Sequence, residues 1–157
     1  MPEPPGEATL LAEATASTAE AQHLLAEGAY APARLLLEQA LAIYEQVLGP
    51  THEQTATTLD NLANVLQDQG DHKAARPLFE RALAIHEQLL GPTHPHTAIS
   101  LNNLATLLKA QGDYSAARPL LERAAAIDEA AYGPHHPEVA TDLNNLASLL
   151  KAQGDQA

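Results

Sequence analysis

Hydrophobic residues in this chain recur at the spacing of one face of an α-helix. Between Pro95 and Gln111, small and large apolar side chains stand at Leu101, Leu104, Ala105 and Leu108, which is the i, i+3, i+4, i+7 pattern of an amphipathic helix. The segment is therefore predicted to be helical.

Glycine and proline mark the ends of the predicted helices. Gly112 suits a left-handed cap at the end of the first helix, and Asp113 suits the N-cap of a second helix. The second helix ends before Gly133 and Pro134, because glycine adopts a positive φ and proline cannot continue a helix. Pro137 then occupies the first position of the following helix, where proline is favoured. Each unit is predicted to be a hairpin of two helices without a strand.

The hairpin repeats every 42 residues. The segment that begins at Leu101 returns at Leu143 with one change, from Thr106 to Ser148, and a looser copy begins at Leu59. A fixed period of this length is typical of a solenoid, in which each unit packs only on its neighbours. The predicted first helices are Glu7–Glu27, Glu53–Gln69, Pro95–Gln111 and Pro137–Gln153, and the second helices are Ala29–Leu48, Asp71–Leu90 and Asp113–Tyr132.

The repeat also predicts the domain organisation. We expect a disordered tail over residues 1–6 and a single solenoid domain over residues 7–157. Its repeats are expected at about 7–52, 53–94 and 95–136, followed by a partial repeat at 137–157.

The apolar and small residues of each unit resemble the tetratricopeptide repeat. In the third unit the matching positions are Leu101, Leu104, Ala105, Leu108, Gly112, Tyr114, Ala117, Leu121, Ala124 and Ile127. The usual repeat has about 34 residues. The longer version, with Leu-Asn-Asn-Leu-Ala from Leu101 and Leu-Gly-Pro-x-His-Pro from Leu90, resembles the kinesin light chain subclass. The resemblance implies an all-α, right-handed α-solenoid of antiparallel helix hairpins, with about three repeats and one terminal helix.

Charge and composition restrict the possible partners and the compartment. The net charge of −12, from 8 basic and 20 acidic residues, opposes binding to nucleic acid and to anionic membranes. No stretch approaches the roughly 20 apolar residues that a membrane-spanning helix needs. The absence of cysteine excludes disulfides and suits a reducing compartment, so we expect a cytoplasmic protein.

Eight histidines raise the possibility of a metal site, especially in the clusters at positions 94–96 and 135–136. However, His52, His94 and His136 share one repeat position at the start of a first helix, so we interpret them as caps or loop contacts. The chain has no glycine-rich phosphate loop and no nucleophile motif. We therefore expect no metal, no cofactor and no catalytic residues, and predict that the protein is not an enzyme.

The resemblance implies that the outward face of each first helix lines a concave groove. The candidate peptide-binding residues on this face are Asp60, Asn61, Asn64, Asn102, Asn103, Thr106, Lys109, Asn144, Asn145, Ser148 and Lys151. The repeat register aligns Asn61, Asn103 and Asn145 in a ladder, and each amide can both donate and accept a hydrogen bond. The ladder has two possible roles: it holds the backbone of an extended peptide, or it joins neighbouring helices.

The last predicted helix carries leucines spaced for burial on more than one side, but the sequence ends where its partner helix should begin. These leucines are Leu143, Leu146, Leu149 and Leu150. An uncovered apolar face normally marks an association site, so we expect a homodimer through this end. The leading hypothesis is a scaffold, part of a larger multidomain protein, that binds a peptide along the groove. The alternative is a self-association module that oligomerises through this helix.

Overall fold

A computed structural model describes residues 1–154, which form seven α-helices and no strand. The helices are α1 (Glu7–Ala26), α2 (Tyr30–Val47), α3 (Glu53–Asp68), α4 (His72–Leu90), α5 (Pro95–Ala110), α6 (Tyr114–Tyr132) and α7 (Pro137–Gly154). Each boundary lies within about one residue of the position that the repeat predicts, so the prediction of an all-α fold is confirmed. The last three residues of the predicted partial repeat lie outside the described residues. Every described helix is too short or too polar to cross a membrane.

The chain divides into two compact units, the first comprising Met1–Ile85 and the second beginning at His86. The first unit contains α1, α2, α3 and most of α4, and the second contains the end of α4 with α5, α6 and α7. A single domain over residues 7–157 stays a prediction. Residues 1–6 precede α1 and are exposed, and their disorder also stays a prediction.

The turn between α5 and α6 has the chemistry that its sequence indicates. Gly112 has a φ of 79°, in the left-handed region that glycine adopts without strain. The amide of Asp113 donates to the carbonyl of Leu108 at 2.8 Å, which closes the C-terminal cap of α5. The Asp113 side chain then accepts from the amide of Ala116 at 3.4 Å and caps the N-terminus of α6.

The core of each unit consists of buried leucines with alanines where helices cross. In the first unit, Phe79, Leu37 and Leu59 are fully buried. α1 contributes only Ala14 and Ala21 as buried residues. In the second unit the fully buried large residues are Leu101, Leu107 and Leu149, and the alanines without exposed surface are Ala98, Ala105, Ala117 and Ala124. Small side chains at these positions allow the helix axes to approach closely.

An ion pair that recurs in each unit connects one second helix to the next. Arg81 of α4 contacts Glu45 of α2 at 2.6 Å, and Arg123 of α6 contacts Glu87 of α4 at 2.8 Å. Arg123 also donates to the carbonyl of Pro92 at 3.1 Å. Because all four charged side chains are more than a third exposed, each pair adds at most about 1 kcal/mol of stability.

Candidate functional site

Four of the predicted groove residues meet where α5 lies beside α7. Thr106, Lys109, Asn145 and Ser148 line one small pocket of about 90 Å³, together with buried apolar side chains from α5 and α6. The Lys109 Nζ donates to the Ser148 Oγ across the two helices. We call these four residues, with the exposed Asn144 and Lys151 beside them, the α5–α7 face. Its polar groups are two ammonium groups, two hydroxyls and the amides of two asparagines.

Asn102 connects α5 to α7 rather than facing an open groove. Its Nδ2 donates to Oδ1 of Asp142 at 2.6 Å, and the side chain is half-buried. The two helices are therefore joined through Asn102 and Lys109. Among residues 1–154, no hydrogen bond joins Asn103 to Asn145. The ladder's role in peptide binding stays a prediction.

The candidates on α3 differ in accessibility. Asn61 is half-buried and Asn64 is exposed, as a binding surface requires. Asp60 is only 9% exposed, which corrects its assignment to the groove. Its helix turns this carboxylate inward with the buried Leu59, where a peptide cannot reach it.

The predicted self-association residues also divide into two groups. Leu149 is fully buried, which removes it from the predicted patch. Leu143 is 53% exposed and Leu150 is 42% exposed, with the half-buried Leu146 between them on α7. The apolar surface of α7 is therefore a stripe of three leucines at spacing i, i+3, i+7.

The three histidines at the equivalent repeat position act as N-caps of α3, α5 and α7. The Nδ1 atoms of His52, His94 and His136 each accept the amide hydrogen of the residue two positions further along, at 3.0–3.1 Å. This hydrogen bond satisfies an amide that the first turn of a helix leaves unpaired. In the described part of the chain, no three His, Asp or Glu side chains are grouped to hold one metal ion.

Two buried polar pairs were not identified from the sequence. Tyr44, His86 and Asp128 share one repeat position near the end of the second helices. His86 Nδ1 forms a hydrogen bond of 2.7 Å with Ser100 Oγ, whereas Asp128 faces the carboxyl group of Asp142 at the corresponding place one repeat later. Aligning the repeats with a shift of 42 residues would have shown this change, because aspartates take the places of both His86 and Ser100 in the next repeat.

The carboxyl pair is almost completely buried, with Asp128 only 4% and Asp142 only 1% exposed. The pKa of Asp128 is raised to about 7, mainly by burial, then by the hydrogen bond and the charge of Asp142, with a smaller effect of Glu138. Two carboxylates in contact cannot both ionise cheaply, so the pair holds a proton near neutral pH.

Asp128 also forms part of the wall of an open cavity of about 360 Å³ in the second unit. We call it the acidic cavity. Its lining residues are Pro95, His96, Ile99, Asp128, Tyr132, His136 and Glu138. The Tyr132 and His136 rings stack with their centroids 4.4 Å apart and their planes 22° from parallel. The wall thus combines carboxylates with an aromatic surface and has no lysine or arginine.

Comparison with known proteins identifies the repeat. A family model described as "Tetratricopeptide repeat" matches residues 12–87, 56–130 and 116–157. No curated protein sequence matches the chain significantly. Among solved structures, BtubC (BKLC) of P. vanneervenii has a TM-score of 0.83 and 24% identity, over 90% of this chain and 57% of that one. A Podosopora anserina protein described as a kinesin light chain with nearly identical TPR-like repeats has a TM-score of 0.82 and 28% identity, over 89% and 66%.

A third structure is more distant. The N-terminal domain of stress-induced protein-1 of C. elegans has a TM-score of 0.63 and 14% identity, over 88% of this chain and 97% of that domain. By contrast, this chain spans less than two thirds of the length of the BtubC structure and of the Podosopora anserina structure. The matches confirm the predicted fold class of repeated helix hairpins and the resemblance to kinesin light chain-type repeats.

Proposed function

Because the chain belongs to the tetratricopeptide repeat family, whose repeats generally mediate protein–protein interaction, we propose that it is a scaffold that binds an extended peptide along the α5–α7 face. The observation that supports this proposal is the cluster of Thr106, Lys109, Asn145 and Ser148 around one surface pocket. An extended peptide exposes backbone amides and carbonyls at regular intervals, and amide and hydroxyl side chains can pair with both.

The charges on this face favour a peptide with an acidic side chain. Lys109 and Lys151 both belong to the α5–α7 face. The carboxylate of Asp142 on α7 is buried and accepts a hydrogen bond from Asn102. A carboxylate on the peptide can therefore approach an ammonium group without meeting an opposing negative charge. The peptide backbone would contact Asn145, and its acidic side chain would reach Lys151.

We test this function with an array of acidic and neutral peptides, measured by fluorescence polarisation. Asn145→Ala is expected to weaken binding about fivefold to tenfold, the effect of one lost hydrogen bond. Gln46→Ala is the matched control, because it removes an amide from an exposed position on α2, a second helix. Both variants should keep their helical circular dichroism. If no peptide binds the wild type, or if Asn145→Ala binds as tightly as Gln46→Ala, the proposal is wrong.

The exposed stripe of Leu143, Leu146 and Leu150 supports a second candidate function, self-association through α7. Burying a leucine contributes about 1.5–3 kcal/mol, so pairing two such stripes favours a two-fold dimer. Light scattering after gel filtration is expected to show a dimer at several hundred micromolar, on the order of the concentration a weak interface needs. The double variant Leu143→Gln, Leu150→Gln should be monomeric.

Leu35→Gln is the control for this experiment, because Leu35 is 56% exposed on α2 and its loss removes similar apolar surface elsewhere. It should leave the dimer unchanged. A wild-type protein that is monomeric at every concentration would rule out self-association through α7. A dimer that persists in the double variant Leu143→Gln, Leu150→Gln, as it does in Leu35→Gln, would rule it out too.

A further inference from the structure

The acidic cavity has the chemistry of a site for a planar cation. Asp128 and Glu138 supply carboxylates, and the stacked rings of Tyr132 and His136 supply a flat π surface. At its rim Ile99 is 53% and Tyr132 is 45% exposed, although large apolar side chains usually avoid water. A guanidinium group pairs with carboxylates through two parallel hydrogen bonds and stacks on aromatic faces, which an ammonium does less well.

A buried carboxylate oxygen that lacks a hydrogen-bond donor also supports a site for a cation. Oδ1 of Asp142 accepts the Asn102 amide, but its buried Oδ2 has no donor among the described residues other than a proton held by Asp128. Asp128, only 4% exposed, contacts Asp142 and is itself one of the residues that line the cavity. Buried polar atoms normally have a hydrogen-bond partner. Because the two carboxyl groups depend on one shared proton, another positive group is suited to take the place of that proton.

We propose that the acidic cavity binds the arginine side chain of a partner polypeptide, with its guanidinium paired to Asp128 and Glu138 and stacked on Tyr132. The net charge of −12 favours such a basic partner. The cavity shares no lining residue with the pocket of the α5–α7 face, so either site can exist without the other.

Binding is coupled to proton release. In the free protein the carboxyl pair carries one proton near neutral pH, and the entering guanidinium displaces it to solvent. The titratable groups that face Asp128 are Asp142 and Glu138 of α7, with His96, His136 and Tyr132 around the cavity. With the pKa of Asp128 at about 7, binding to the doubly ionised pair is about tenfold tighter at pH 8 than at pH 6.

The probe is Nα-acetyl-arginine amide, titrated into the full chain and followed by amide chemical shifts in ¹⁵N NMR spectra. Its neutral isostere, Nα-acetyl-citrulline amide, has the same shape without the charge. We expect saturable shifts at Ile99, Tyr132 and Glu138 with the arginine compound only, and about tenfold tighter binding at pH 8 than at pH 6.

Asp128→Asn should weaken binding at least tenfold at pH 8, and the neutral replacement is compatible with the buried position. Glu129→Gln is the matched control: it removes the same charge from the adjacent, exposed residue of α6, which does not line the cavity. Equal shifts with the arginine and citrulline compounds would overturn the proposal. Wild-type affinity in Asp128→Asn, or an equal loss in Glu129→Gln, would do so too.

Discussion

Replacing Asp128 with asparagine is expected to stabilise the protein at pH 8 by ~2–4 kcal/mol, although most substitutions of buried residues destabilise. Asparagine has nearly the same shape as protonated aspartate, and its Nδ2 can donate to the Oδ2 of Asp142, which otherwise depends on the shared proton. The substitution therefore removes a buried negative charge and keeps the hydrogen bond.

The pH dependence of this effect follows from the pKa of Asp128, raised from 3.8 to about 7 in the folded protein. Between these two values the unfolded chain has lost the proton that the folded chain retains. Raising the pH therefore lowers the free energy of unfolding by about 1.4 kcal/mol per unit, and the loss levels off above about pH 7. The gain from Asp128→Asn should accordingly be small near pH 4 and largest at pH 8.

Urea unfolding of both proteins at pH 5 and pH 8, followed by circular dichroism, measures this difference. The other ionisable groups are common to both proteins, so their contributions cancel in the comparison. Glu129→Gln serves as the control, because its exposed carboxylate should change stability little at either pH. A difference between wild type and Asp128→Asn that does not grow with pH would show that the pair holds no proton in this range.

Leu101→Ala is expected to destabilise the protein by about 2–5 kcal/mol, whereas Leu143→Ala should cost less than about 1 kcal/mol. The two leucines occupy the same repeat position in almost identical segments. Leu101 is fully buried between α5 and its neighbours, but Leu143 on α7 is 53% exposed. Truncating the first leaves a cavity, and truncating the second removes little packing.

Thermal and urea unfolding of the two variants under identical conditions provides the test. Both variants exchange leucine for alanine inside a helix, so the change in helix propensity is the same and tertiary burial distinguishes them. Equal losses of stability in the two proteins would contradict the burial that the structure assigns to Leu143, and would indicate that a second chain covers it.

Much of the fold was predictable because its determinants are local. The apolar stripe of α5 and the cap residues Gly112 and Asp113 depend on residues within a few positions of each other. The period of 42 then transfers each assignment to every unit, which is why the helix boundaries agree with the structure so closely. The histidine caps follow from the same register, since a residue at a repeated position needs a role available in every repeat.

The site was predictable only in part, because the pattern shows which face a residue lies on but not which groups it meets. Asp60 and Asn102 were both assigned to the groove, yet one is buried and the other is hydrogen-bonded to Asp142. Asp128 and Asp142 are 14 positions apart, on different helices, and each by itself resembles a solvated acid. Only their packing together removes water and raises the pKa of Asp128.

The sequence by itself determined the number of helices, their ends and the repeat class, since periodicity and capping are properties of neighbouring residues. The tertiary structure decided which copy of a repeated residue is buried. Leu108 is 3% exposed, but its equivalent Leu150 is 42% exposed, although the surrounding sequences differ only by Thr106 against Ser148. The physical reason is that burial depends on the helices packed around a residue, and α6 packs more extensively against α5 than against α7.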